Sequence, residues 1–245
     1  MWLRLSTGCL AAAILGIGAW LAYQHFYPPS NSLRLVFHAE IDGKPLEPNV
    51  YAHDNPGGDG QFQVRNFRFY LSNFELVGSS PNDPVQIEDG YYLARFDNAQ
   101  ASYIIDFAGL PLRELHSLSF AIGVDADANT SIAFRGDLDP NSQMAWNWKV
   151  GYKFVVLEGN LKRGNTAIPL VYHVGFSENL RQVNYSWQEP LQLGSNSQVD
   201  FSVDAMKLFN GRSIIDMAQL NSVKFDKEDA RTLADNYSKM ITLKP

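Results

Sequence analysis

The chain has 245 residues, 45% hydrophobic and 13% aromatic, with 26 acids against 20 bases (formal charge −6) and one cysteine. This length and apolar content suit one folded domain and exclude wholesale disorder, while the lone cysteine excludes a disulfide scaffold and any cysteine-based zinc or iron–sulfur site. The acidic balance carries no electrostatic footprint for nucleic acid.

The first 29 residues read as an address rather than as fold. They hold one charge, Arg4, and an almost unbroken apolar run from Leu10 to Tyr23, closed by His25, Pro28 and Pro29. A basic start followed by an apolar stretch is the layout of an export signal, and Thr7 to Tyr27 is close to the ~20 residues that span a bilayer as a helix. Trp20 and Leu21 stand where a cleavage site wants small residues, so the segment reads either as a cleaved signal peptide or as a signal anchor. Arg4 then stays inside and the body is exported to the periplasm or cell envelope, with the membrane touched only through this segment. Cys9 has too little apolar sequence before it for a lipoprotein cysteine and reads as a small membrane-buried hydrophobe.

From Leu33 onward the apolar pattern has period two. Strands are expected at Leu33–Ile41, Phe62–Val77, Tyr91–Phe96, Tyr103–Phe107, Leu115–Val124, Tyr152–Glu158, Ile168–Phe176, Gln182–Trp187 and Gln198–Val203. They are separated by turn-rich stretches such as Asn55-Pro56-Gly57-Gly58-Asp59-Gly60. Many short strands at this spacing predict an antiparallel β-sandwich of jelly-roll or Greek-key type, a single domain over 30–245. Near the end, Ala230, Leu233, Ala234, Tyr237 and Met240 recur at helical spacing and predict an amphipathic helix over Lys227–Ile241. A short helix near Ser213–Gln219 is a weaker expectation.

The usual catalytic signatures are missing: no Gly-x-Ser-x-Gly, no phosphate loop, no His-Glu-x-x-His and no cysteine nucleophile. His38 and His173 each interrupt a strongly apolar strand, where an imidazole must be neutral and hydrogen-bonded, bind a metal, or point outward. His53 reads as a solvated loop residue, and His116 has no assigned role. Asp125, Asp127 and Asn129, with Asp137 and Asp139 downstream, offer alternating oxygens that can wrap calcium, though such residues also build turns without a metal. The most unusual stretch is Met144-Ala145-Trp146-Asn147-Trp148-Lys149-Val150-Gly151-Tyr152-Lys153-Phe154, whose two tryptophans share a side if the chain is extended.

That stretch, followed by Leu157-Glu158-Gly159 and His173-x-Gly175, resembles the MbnP-like copper-binding family, an exported β-rich group named for a protein of methanobactin operons. The resemblance extends upstream through Phe62-x-Val64-x-x-Phe67-x-Phe69-Tyr70-Leu71-Ser72-Asn73-x-x-Leu76 and Phe120-x-Ile122-Gly123-Val124-Asp125, covering about 33–176. It implies a copper site, with Cu(I) favoured, and a dihaem partner of the MauG and cytochrome c peroxidase type that oxidises one tryptophan to kynurenine. An intact indole is a poor ligand because its nitrogen lone pair belongs to the ring, whereas the opened product carries an aniline-type amine that donates. Neutral imidazoles and such an amine suit Cu(I). Carried over by position, His38 and His173 are the imidazole candidates, Trp146 or Trp148 the modified residue, and Met144 a soft neighbour. Tyr152 and Lys153 read as structural. Related surface copper proteins place a histidine two residues after the kynurenine; counted from Trp146, this chain has Trp148 there.

The leading expectation is therefore a non-enzymatic copper binder. The alternatives are an interaction module using aromatic loops such as Tyr91-Tyr92 or Tyr185-Ser186-Trp187 for a protein or glycan, and a chain that serves only as substrate of the dihaem oxidase. A hydrolase is the weakest reading, since no nucleophile is marked.

Overall fold

The structure is a computed structural model that describes residues 31–82, 84–96, 101–131, 135–147 and 150–244. The N-terminal address segment, Cys9 and Trp148 lie outside the described residues, and among the described residues no helix is long and apolar enough to cross a membrane.

Strand β1 (Asn31–Ile41) shows how the pattern becomes structure. Leu33, Leu35, Phe37, Ala39 and Ile41 alternate inward and are buried. Asp42 and Gly43, both at positive φ, then turn the chain into β2 (Lys44–Pro45), the two-residue connection whose twist matches that of the strands it joins. β3 (His53–Asp54) leads through the glycine-rich turn to β4 (Gln61–Val77). There follow β5 (Val85–Gln86), β6 (Tyr92–Arg95), β7 (Ser102–Leu110), β8 (Glu114–Ile122) and a one-turn helix, α1 (Ala126–Asn129). Next come β9 (Ala145–Asn147), β10 (Gly151–Arg163), β11 (Thr166–Gly175), β12 (Arg181–Gln192), β13 (Ser197–Asp204) and β14 (Ser222–Val223). The chain closes with α2 (Lys227–Tyr237) and β15 (Ile241–Leu243).

Two sheets face one another. The first runs β15-β13-β1-β2, with β7 also on β1; the second runs β12-β8-β4-β10-β11-β14, with β3, β5 and β6 paired to β4 and β9 to β10. The inward side chains of both join one aromatic-rich core, in which Phe37 of the first sheet meets Phe120 of the second edge to face at 5.8 Å. The sandwich is mixed rather than purely antiparallel: β1 pairs β13 in parallel over Leu33–Glu40, and β11 pairs β14 in parallel. A parallel pair needs a long crossover, and here the chain between β1 and β13 carries every strand of the second sheet except β14, together with β2 and β7 of the first.

α2 buries Ala230, Leu233, Ala234 and Tyr237, the i, i+3, i+4, i+7 stripe expected, and Asp226 caps it by accepting from the Glu228 and Asp229 amides. It stops at Tyr237 rather than Ile241, because Ile241 joins β15 beside β13. The segment around Ser213–Gln219 forms turns instead of a helix; the Asp216 carboxylate takes the Ala218 amide, a local bond that competes with helix.

A second, smaller core sits outside the sandwich. Tyr70, Phe154 and Val156 face away from the main core and are covered by Val124, Ala128, Leu138 and Met144 from the excursion between β8 and β10. That excursion positions the site.

Candidate functional site

β1 turns His38 to the outer face of the first sheet, where its Nε2 lies 2.7 Å from Asp200 Oδ1 on β13. β11 turns His173 to the outer face of the second sheet, where its Nε2 lies 2.9 Å from Glu158 Oε1 on β10. Their strand neighbours Phe37 and Tyr172 belong to the same interior. The two imidazoles therefore point away from each other across a sandwich about 10 Å thick between sheets, whereas metal–nitrogen bonds are about 2 Å. One ion cannot use both, which corrects the expectation of a shared two-histidine site. Alternation decides this, because both histidines stand at odd steps from inward-facing residues.

The site at His173 is built with care. Glu158 pairs with Asn66 and Gly159 with Val64, so Arg65 is the extra residue of a bulge. Gly159 is required there, since a Cβ would run into the Gln63 carbonyl. Past the bulge, Glu158 accepts from His173, from Asn66 Nδ2 at 3.3 Å and from Arg65 Nη2 at 3.5 Å. Burial alone would raise its carboxyl, but the bonds from His173 and Asn66 outweigh that and hold it below the ordinary carboxylate range. His173 is mostly buried, its side chain 13% exposed, and burial lowers its pKa against the raising effect of Glu158. An ionised carboxylate only accepts, so the neutral ring places its proton on Nε2. Nδ1, with no hydrogen bond among the described residues, keeps its lone pair. A carboxylate fixing one ring nitrogen while the other stays basic is the usual support of a metal-ligating histidine.

Trp146, on β9, brings its indole onto the same face. Its ring occupies the space above Gly175, where a Cβ would come 2.5 Å from Cζ3. Gly175 lies two residues after His173 on β11, hence on the same side and about 7 Å along the strand. The indole packs against Phe176 at 5.3 Å and Phe225 at 5.2 Å between ring centroids. Gly151 (φ 88°) begins β10 where Asn129 crowds its α-carbon, and Asn129 Oδ1 accepts the Tyr152 amide at 2.8 Å, which ties the excursion to β10. The glycines of the sequence motif thus have separate tasks: a strand start, a bulge and a seat for an indole.

The other candidates disperse. Met144 is buried in the smaller core with Tyr70 and Tyr152 and is a packing residue. Asp125 caps α1, accepting from the Ala128 amide and from the Tyr91 hydroxyl, and Asn129 is spent on Tyr152. The carboxylate of Asp125 and the amide oxygen of Asn129 are thus engaged in holding the local backbone. Among the described residues no group of three or more His, Cys, Asp or Glu side chains is disposed to hold a metal. His53 is not solvated: β3 pairs it with Phe62, its ring tilts over that phenyl at 5.6 Å, and burial lowers its pKa. His116 pairs with Glu114 at the surface. Tyr91 and Tyr185, expected on aromatic loops, are instead held inside: Tyr91 is buried and Tyr185, on β12, packs its ring at a tilt against Phe120 and Phe201.

Glu158, Asn66, Lys224 and Phe225 were not expected at the site. Glu158 carried a signal, an acid inside an apolar strand followed by glycine; Lys224 and Phe225 directly follow β14, a two-residue strand too short to read.

A family model described as MbnP matches residues 30–225. Among solved structures the chain is similar to MbnP from Methylosinus trichosporium, at 19% identity, covering 76% of this chain and 79% of that one, with a TM-score of 0.49. None of the curated proteins matches the chain. The family match takes in the bulge glycine, the Trp146 strand and the His173 strand, and on its extent the chain belongs to the MbnP family.

Proposed function

We propose that this chain is an exported copper-binding protein rather than an enzyme, with its copper site on the outer face of β10 and β11. The observation that carries the reading is the His173–Glu158 pair with the Trp146 indole one side-chain position away. His173 supplies an uncharged nitrogen already oriented by a carboxylate. Trp146 is the precursor of the second donor, oxidised to kynurenine by a dihaem partner of the MauG and cytochrome c peroxidase type. Neutral nitrogen donors in small number suit Cu(I). His38 and Met144 have no part in this set, and calcium is not proposed. The N-terminal segment carries the body to the periplasm or cell envelope, either released or held at the inner membrane.

The test is to make the protein with and without its dihaem partner and to measure intact mass and copper content. The reading expects the mass change of exchanging one carbon for one oxygen at Trp146, near-ultraviolet absorption of kynurenine, and copper retained at micromolar concentration only in the modified protein. An unmodified Trp146 in the presence of the partner removes the second donor. No copper in either form refutes the metal role.

A further inference from the structure

The face around His173 is unusually basic for an acidic chain. Arg65 donates to Glu158, which already accepts three bonds; Lys153 and Lys224 lie close to His173 and to each other, and Arg68 lies close to Lys153. Lys153 Nζ donates to the Gln143 carbonyl at 2.9 Å and Arg68 Nη1 to the Ser142 carbonyl at 3.4 Å, so consecutive carbonyls hold two cations side by side. β14 runs parallel to β11 with Val223 opposite Tyr172, which brings Lys224 level with His173. Among the described residues neither Lys153 nor Lys224 makes an ion pair. Burial, against the pull of Glu158 and with the push of Arg68 and Lys224, lowers the Lys153 ammonium below its ordinary value. Like charges gathered on a partly buried face favour an incoming anion.

Beside them stands an apolar wall. Trp146 packs on Phe176 and Phe225, and Phe225 remains 60% exposed although it follows Lys224 directly. Lys227 lies over the Phe176 ring, but its charge is met by Glu178 at 3.0 Å. An exposed phenyl beside unpaired ammonium groups fits a ligand with a charged end and a flat apolar body.

We propose that this face binds a small aromatic carboxylate, its oxyanion on Lys153 and Lys224 and its ring on Phe225 and Trp146. The proposal does not depend on copper. It is tested on metal-free full-length chain with unmodified tryptophans, titrated at fixed ionic strength with benzoate, acetate and inorganic phosphate while the Trp146 indole and lysine resonances are followed. Benzoate is expected to saturate with a Kd of about 1 mM and acetate to bind at least about tenfold more weakly. Lys153→Met with Lys224→Met, which keep the aliphatic stems, should weaken benzoate about tenfold or more, and Phe225→Ala should weaken benzoate but not acetate. If the double variant does not fold, Lys224→Met alone, at an exposed position, carries the test. Absent saturation, an affinity unchanged in the lysine variants, or phosphate as tight as benzoate with Phe225→Ala indifferent each overturns the proposal.

Discussion

Gly175→Ala probes the seat of the indole. A β-carbon at Gly175 would lie 2.5 Å from Trp146 Cζ3, 2.9 Å from Cη2 and 2.5 Å from the Tyr152 carbonyl oxygen. Carbon atoms rest at about 3.5–4.0 Å, so the indole must retreat by about 1 Å or more. It is backed by Phe176 and Phe225. The carbonyl belongs to β10 and cannot retreat without loosening the ladder. Overpacking of this kind costs about 1–3 kcal/mol, and for a chain of this size each kcal/mol lowers Tm by about 2–4 °C. Gly194→Ala is the control, because a β-carbon there meets nothing within 4 Å and the backbone is not left-handed; its effect should stay within about 0.5 kcal/mol. Thermal unfolding measures the cost, and the Trp146 indole resonance, assigned with Trp146→Phe, reports the displacement. Gly175→Ala as stable as the parent, with that resonance unmoved, would refute the placement of Trp146 on β11.

Three further outcomes follow from the hydrogen-bonding and burial at named residues. Glu158→Gln removes the charge that supports the His173 proton, so the His173 pKa should fall further in a proton NMR titration and stability should drop by about 1–3 kcal/mol. His53 and His173 both titrate below the ordinary imidazole value, chiefly through burial, so below pH about 6.5 the unfolded chain takes up protons first. Their stabilisation is complete above that pH and is lost as pH falls toward the folded values; Tm should decline from pH 7 to 5, less steeply in His53→Phe, and a flat profile in the parent would contradict the burial argument. Asn55→Ala should cost about 2–3 kcal/mol in urea unfolding, since buried Asn55 donates to Asp216 Oδ1 at 2.8 Å and accepts the Met217 amide at 3.1 Å, clasping the β3–β4 turn to the C-terminal segment.

Period-two alternation made the strands legible, and most of them start and end within a few residues of the expected bounds. Leu33 to Ile41 is the clearest case, ending where Asp42-Gly43 demands a turn. Parallel pairing of β1 with β13 was not legible, because nothing local in either strand names a partner about 160 residues away. The smaller core did leave a mark: Phe69-Tyr70-Leu71 and Phe154-Val155-Val156-Leu157 are apolar on both faces, the pattern of strands covered twice. His53 was misread because a two-residue strand has no period. At the site, His173, Trp146 and the three motif glycines were legible as a group. The separation of His38 from His173 needed only the parity of each strand together with the assignment of those strands to different sheets, and that assignment is a tertiary fact.

The most direct measurement is copper retention after Cu(I) loading of His38→Ala and His173→Ala proteins, each made with the dihaem partner that the proposed function calls for. Because the two imidazoles stand on opposite faces, His38→Ala should hold as much copper as the parent, while His173→Ala should bind at least about tenfold more weakly. Equal loss in both variants would mean that one ion does join the two histidines, and the arrangement of the sheets described above would be contradicted.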